Sequence, residues 1–505
     1  MDPVFSAVGF LVLVIVYRVY RRYTGISLAD VPGPESPSFM MGEDHKRQRK
    51  VLSPGFGAPE SKAFLPLFQG CAESVGTEVT PYSLNSHQQR DPSQLSNKWM
   101  DVIMNSKEQS AVLNIPAWLS RATLDAIGEA AFDVRFGSID NEESALARAY
   151  SNMMNDIFGS PSNERIFFRE VSKYIPDRIL QYLVETSNNP GIQRAREVAS
   201  LATSLARQMV TDKAEMLLQG KGNRDVFSLL GVCTPSFRSS TSNRSTVKAN
   251  MDTDAKEKLT EEELYALMRT ILLAGHETTS NTISWALLEL ARHPEMQSRL
   301  RAEIRETEVA IHARGDTEFT VTDLDDMTYA TAFIKEVLRF HPVVYQVYRC
   351  ANQDDVLPLS QPITTRLGKV IHELPVQKGT RIVVSVAAYN RNKDLWGDDA
   401  HVFNPERWIN GAAKEKKATS IGVYSNLMTF LSGARACIGW RFAVIEIQAF
   451  LTEVVGKFEF TLIDQSGRVR REASGVMTPT LEGEVEKGVQ LPLRVSVALQ
   501  AESGY

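Results

Sequence analysis

The sequence predicts a mainly α-helical protein with small β-sheets, an α+β class. Three observations predict it. A capped apolar stripe of helical period runs for about thirty residues from Thr260. A second stripe, from about Met327 to Phe340, stops at His341-Pro342. Strand-like runs are few and are not interleaved with helices as βαβ units. Composition agrees: 43% of the 505 residues are hydrophobic and 23% charged, which excludes a wholly disordered, collagen-like or coiled-coil chain. At about 100–200 residues per domain, three domains or one large α-rich domain fit this length.

The first element is an anchor. Residues 4–17 are apolar except for Ser6 and Gly9, and the stretch 1–20 reaches the roughly 20 residues of a tilted spanning helix. Arg18, Arg21 and Arg22 follow, with no small-x-small cleavage site. Bases after the span keep the remaining chain in the cytosol. Pro32, Pro34 and Pro37 then make a stiff hinge. The expected organisation is an anchor at 1–22, a hinge at 23–41 and one catalytic domain at 42–505.

In the body, Thr260 and Glu263 form a capping box, and Leu264, Leu267, Met268, Ile271 and Leu272 carry the stripe behind it. His293-Pro294 ends this helix. The β-branched run 381–387 fits a buried strand, and 367–374 and 491–499 are weaker strand signals. Two polar stretches without period, 75–92 and 231–246, read as exposed loops. The net charge of −5 gives no global field for nucleic acid. Four cysteines, at 71, 233, 350 and 437, are too sparse for a disulfide scaffold, and no CxxC pair suggests zinc.

One cysteine stands in chemistry-bearing surroundings. The string from Phe430 to Gly439 reads FLSGARACIG. Glycines flank Cys437, and a helix opens after them at Trp440, so backbone N–H groups and a helix N-terminus lower the thiol pKa. Gly433 and Gly439 let a flat ligand approach the backbone. Arg435 reaches an anionic edge of such a ligand. A buried structural cysteine is the competing reading. The whole string resembles the signature of the cytochrome P450 haem-thiolate monooxygenases. The resemblance extends from Gly42 to about Leu493, in wording similar to fungal microsomal members. It implies the P450 fold, haem held by Cys437 as axial iron ligand, and Phe430 packed beside the sulfur. A thiolate ligand favours O–O cleavage.

A second string, Ala274-Gly275-His276-Glu277-Thr278-Thr279, lies inside the long helix. An interior glycine costs about 1 kcal/mol relative to alanine, so room for a ligand or a helix distortion is expected there. The zinc-protease pattern HExxH fails because Ser280 takes the second histidine position. The resemblance puts this string over the distal haem face, with Ala274 above the haem. It gives Thr278 a hydrogen bond to bound dioxygen and Glu277 a place in the proton relay. A back-bond from Thr278 to its own helix is the structural alternative.

Glu336 and Arg339 are an i, i+3 pair that means little alone. They match the family's E-x-x-R, whose third member is Arg407 of Pro405-Glu406-Arg407-Trp408. That network is expected to be structural and to lock the approach to Cys437. In Lys46-Arg47-Gln48-Arg49-Lys50, Arg49 matches the propionate-binding arginine of W-x-x-x-R, although His45 replaces the tryptophan. The other cations would meet an acidic reductase. Arg349 resembles a further propionate ligand. Residues 343–347 and 474–478 either line a hydrophobic pocket or are ordinary core.

The resemblance breaks after the hinge. Family members carry roughly ninety residues, a subdomain's worth, between the hinge and the W-x-x-x-R helix. Here Pro34 and His45 are eleven apart (45 − 34). The N-terminal sheet subdomain is missing on this reading, which leaves a strand edge open. The implied function is insertion of one oxygen atom from O2 into a hydrophobic terpenoid, polycyclic aromatic or similar molecule. Electrons would come from NADPH through a P450 reductase, at the endoplasmic reticulum membrane, and no nucleic acid partner is expected. The alternatives are a haem-binding but catalytically impaired relative, a mispredicted variant, or a haem-thiolate isomerase or dehydratase that needs no reductase.

Overall fold

Thr260 opens the longest helix. Its hydroxyl accepts the Glu263 amide at 3.2 Å, and the Glu263 carboxylate accepts the Thr260 amide at 2.8 Å, so the capping box forms. The helix ends at Arg292, before Pro294 opens the next one. The structure, a computed structural model, describes residues 42–72, 95–140, 145–153, 155, 167, 171–172, 175–218, 259–410 and 421–499. The expected anchor (1–22), the hinge (23–41) and the loops at 75–92 and 231–246 lie outside the described residues. Among the described residues, no helix is long and apolar enough to cross a membrane.

The principal helices are α1 (Gly42–Leu52), α2 (Leu65–Ala72), α3 (Ile115–Phe132), α4 (Asp177–Thr186), α5 (Pro190–Leu218), α6 (Glu261–Arg292), α7 (Pro294–Ala313), α8 (Thr328–Phe340) and α9 (Trp440–Lys457). The chain divides into two units. The larger holds 42–160, 189–346 and 385–505. Its axis is α6, 32 residues or about 48 Å long and buried along most of its second half. α3 and α9 both pack against it, and on α9 the Phe442 ring is surrounded by Phe56, Phe64 and Phe68, the last at 4.7 Å between centroids. Strands β1 (Ser110–Asn114), β9 (Pro492–Val497) and β6 (Phe458–Thr461) form an antiparallel sheet in the order β1-β9-β6. β7 (Val469–Ser474) and β8 (Val476–Leu481) form a hairpin.

The smaller unit holds 161–188 and 347–384 among its described parts. It contains α4, the hairpin of β3 (Asp355–Thr364) with β4 (Val370–Val376), and the pair β2 (Gln346–Cys350) with β5 (Arg381–Ser385). The run 381–387 was expected to be a buried strand. It is a strand to Ser385, but alternate residues are exposed and Val383 is 53% accessible. β5 pairs with β2 in a two-stranded sheet, so β-branched residues made the strand while nothing in its unit covers its face. Each strand keeps an open side among the described residues.

The end of α8 is tied down by a buried aromatic and charged cluster in the larger unit. His341 is 1% exposed, stacks on Trp285 at 4.8 Å, and has Nε2 2.9 Å from a Glu289 carboxylate oxygen. Arg471 donates to its Nδ1 at 3.3 Å. Burial, with the Arg471 charge, holds the His341 pKa at about 4 against the opposing pull of Glu289. Unfolded histidine takes its proton near 6.5. Stability is therefore full above that value and falls as pH drops toward 4, by about 1.4 kcal/mol per unit. Melting temperatures from pH 7 to 4.5 should fall more steeply for the wild type than for His341→Gln; parallel curves would refute this account.

Candidate active site

The loop before α9 takes shape from its own backbone. Gly433 has φ of 65°, which a glycine adopts without strain, while Leu431 at 58° has no such freedom. Leu431 is held by its N–H on the Met428 carbonyl at 2.9 Å and by its carbonyl accepting from Val423 at 3.3 Å. The Cys437 N–H donates to the Phe430 carbonyl at 2.8 Å and closes the loop. α9 then starts at Trp440, as the sequence predicts.

Cys437 is exposed, but to a cleft inside the larger unit rather than to the outer surface. This cleft is lined by Phe430, Arg435, Thr278, Val343, Val344 and Ile447, among others. The sequence predicts a lowered thiol pKa, and this expectation is corrected. Burial pushes the Cys437 thiol up, and the Gly439 N–H and the Arg49 charge offset only part of that. A helix-terminus field is smaller than the desolvation of a thiolate with no cation above it.

Cations gather beside the loop. Arg49 of α1 donates to the Ala436 carbonyl at 2.7 Å, directly before the cysteine. Arg435 lines the cleft. His45 stands near both, and burial followed by the Arg435 and Arg49 charges lowers its pKa. A histidine in the tryptophan position thus shares the arginine neighbourhood. Arg47 is engaged within the chain: its guanidinium pairs with both oxygens of the Glu263 cap, and Gln48 adds a bond at 3.0 Å. Burial works to raise Glu263, but Arg47 leads the bonds that hold it at about 2. The cap thereby fastens α1 to the start of α6. Arg349 belongs to the smaller unit, where it is exposed and donates to the Tyr348 carbonyl at 2.9 Å.

Along α6, neighbouring residues face different spaces. Thr278 lines the Cys437 cleft, and its hydroxyl donates to the Ala274 carbonyl at 2.7 Å, the helix back-bond. Ala274 is exposed and is not among the side chains lining the cleft. Glu277 is 6% exposed and opens on a second, more polar cleft, shared with Asn281, Ser120, Arg121 and Arg148. One of its oxygens accepts from Asn281 at 3.2 Å and the other lies 3.6 Å from His276 Nε2.

Gly275 has a packing reason. A Cβ there would lie 2.5 Å from Ile127 Cγ1 of α3, and α6 is helical throughout this turn. The same close approach lets the Thr123 hydroxyl of α3 donate to the His276 carbonyl at 3.0 Å. Gly275→Ala should therefore cost about 1–3 kcal/mol by overpacking, although alanine favours helix. In a double-mutant cycle with Ile127→Ala the two losses should sum to less than their separate values; strict additivity in denaturant melts would remove the explanation.

The approach to the loop is locked. Glu336 pairs with Arg339 through two bonds of 2.8 and 2.7 Å, and Arg407 Nε donates to it at 3.1 Å. Trp408 is more than a stand-in for phenylalanine, because its indole N–H donates to Glu336 at 3.0 Å. Arg407 also chelates Asp399, at 2.9 and 3.2 Å. The expected pocket segments divide. Val343 and Val344 line the cleft, whereas Ser474 and Thr478 are buried and bonded to each other at 3.1 Å in the β7–β8 turn. That turn holds residue 343 from behind, through the Met477 N–H on the Val343 carbonyl at 2.7 Å.

The family model described as "Cytochrome P450" matches residues 20–486. The chain belongs to the cytochrome P450 family. It is 31% identical to cytochrome P450 monooxygenase 205 of Postia placenta over 93% of this chain and 78% of that protein. It is also 30% identical to cytochrome P450 monooxygenase claP of Ampulloclitocybe clavipes, over 90% of this chain and 76% of the relative. The chain is a P450 monooxygenase, and the family implies a haem-thiolate iron. The residues of this P450 fit that group. Cys437 is a lone thiol that faces a largely apolar cleft, which suits a metal carried in its own macrocycle, and Arg435 in the lining suits an acid group of that macrocycle.

Proposed function

We propose that this P450 is a membrane-anchored haem-thiolate monooxygenase that oxidises a hydrophobic small molecule with electrons from an NADPH-dependent reductase. The observation that carries this reading is Cys437 presented to a cleft whose wall carries Thr278 and whose other lining is mostly apolar. Haem bound there supplies oxygen activation. Cys437 would offer the thiolate ligand, tempered by the Gly439 N–H. Arg435 and Arg49 would pair with the acid groups of the haem, the latter from its seat on the Ala436 carbonyl. Val343, Val344 and Ile447 exclude water and favour an apolar substrate.

Protons need a separate path. Glu277, on the polar cleft, can exchange with water, and the Thr278 hydroxyl is the group that can present a proton inside the Cys437 cleft. To hand a proton across, Glu277 must leave Asn281, and Thr278 must release the Ala274 carbonyl. The apolar run at 1–22 with its trailing arginines supports the anchor at the endoplasmic reticulum membrane, catalytic domain in the cytosol.

The full chain, expressed with its reductase and haem supply, should give the red-shifted reduced carbon monoxide Soret band of thiolate-ligated haem. Fed a panel of terpenoids and polycyclic aromatics, it should yield products carrying one added oxygen. Absence of the band would overturn the ligation and the activity together. The band without products from any panel member would favour the catalytically impaired reading, which the uncovered face of β5 supports.

A further inference from the structure

Nine residues after the cysteine (446 − 437), α9 carries an acid in a place that suits no charge. Glu446 is 0% exposed, and neither carboxyl oxygen has a hydrogen-bond partner. No cation pairs with it among the described residues. The polar side chain that acts on the acid is the Thr279 hydroxyl of α6, although neither carboxyl oxygen is bonded to it. Across on α2, Cys71 is the titratable group that registers Glu446, and burial pushes that thiol up, so it too is uncharged. A bare carboxylate in such a place would cost several kcal/mol. Burial drives the Glu446 carboxyl well above the carboxylate range, in agreement with the packing.

Thr279 is not an idle neighbour. It is 2% exposed and lines the Cys437 cleft, one residue after Thr278. Ala443, one turn before Glu446 on α9, lines it too, as does Ile447 beside Glu446. A neutral carboxylic acid has one O–H to donate, and the Thr279 oxygen is the acceptor in reach. We propose that Glu446 is a neutral, proton-bearing acid whose O–H is given to Thr279, so that it is a positioning residue for the back wall of the cleft. It joins the cysteine helix to the distal helix directly behind Thr278. This stands on packing within the larger unit and holds whatever molecule is oxidised in the cleft.

Infrared spectroscopy of the full chain tests the assignment. At neutral pH a carboxylic acid C=O stretch should lie above the amide band, move down in D2O and vanish in Glu446→Gln. Thr279→Val should shift that stretch, because the acid loses its acceptor; a purely structural role for Glu446 would leave it unmoved. Stability gives a second readout. The acid keeps its proton when folded and loses it when unfolded, above about pH 4.3. The wild-type unfolding constant should therefore rise about tenfold per pH unit relative to Glu446→Gln, with wild-type stability falling as pH rises. If the glutamine variant does not fold, Glu446→Leu serves the same comparison, since it also removes the titrating group. An ionised carboxylate signature at neutral pH, or a stability gap flat with pH, overturns the neutral acid. A stretch indifferent to Thr279→Val overturns the coupling.

Discussion

Cys437→Ser should give a folded protein that lacks the thiolate Soret band and has no oxygenase activity above background. The fold should survive because the structure uses Cys437 mainly through its backbone. The N–H on the Phe430 carbonyl at 2.8 Å, the positive φ of Gly433 and the start of α9 at Trp440 all persist in the variant. The side chain itself is exposed to the cleft, so the substitution leaves no cavity in the core. What is lost is the sulfur, and a serine hydroxyl is a much weaker, harder ligand for iron. Circular dichroism and melting temperature should match the wild type, while reduced carbon monoxide spectra lose the band. A variant that keeps a thiolate-type band would move the ligand to another cysteine and sink the assignment.

The largest stability effect should come from Arg339→Ala. The guanidinium is 0% exposed and makes five bonds. Two go to Glu336, and three go to the carbonyls of Asn390, Ala400 and Val402 at 2.9, 2.7 and 3.0 Å. Truncation takes this donor from the Asn390 and Ala400 carbonyls, leaves the Val402 carbonyl with Arg407 at 3.3 Å, and leaves Glu336 to Arg407, Trp408 and the Asn404 N–H alone. Breaking a buried pair by removing one partner costs about 3–5 kcal/mol, a large part of the roughly 5–15 kcal/mol that holds a native protein together. Little folded protein should accumulate, and what does should melt well below the wild type. Arg339→Lys should rescue only in part, since an ammonium supplies three donors where five are used. Stability within about 1 kcal/mol of wild type for Arg339→Ala, measured by denaturant melts, would show the network to be dispensable.

The parts of this site that were legible in the sequence are short-range. Thr260 and Glu263 declare a helix start because the capping box is local chemistry three residues wide. Gly433 and the helix opening at Trp440 likewise follow from neighbours in the chain. Glu336 and Arg339 are one turn apart on α8, so their pairing was readable, as was the third place of Arg407 by resemblance. Trp408 could have been read as a donor, since an indole beside a buried carboxylate needs a partner. Other parts had no local signal. Arg47 reads as one of the cations for an acidic reductase, and nothing local to it signals that it crosses 216 residues of sequence to reach Glu263. Gly275 looked like room for a ligand, yet Ile127 fills that room.

By itself, the sequence determined the strings that mark the family, namely the Cys437 loop, the Thr278 turn and the charged lock on α8, and hence the family and its monooxygenase class. Only the tertiary structure decided what each side chain faces. It turned Glu277 and Thr278, adjacent in the chain, to different clefts, and it left β5 uncovered where its β-branched run suggests burial. It also raised the thiol that local dipoles alone would lower, and buried Glu446 with no cation paired to it among the described residues. The physical reason is common to all of them. Caps, turns and periodicity act between neighbours along the chain, whereas burial is set by whichever distant segment packs on top.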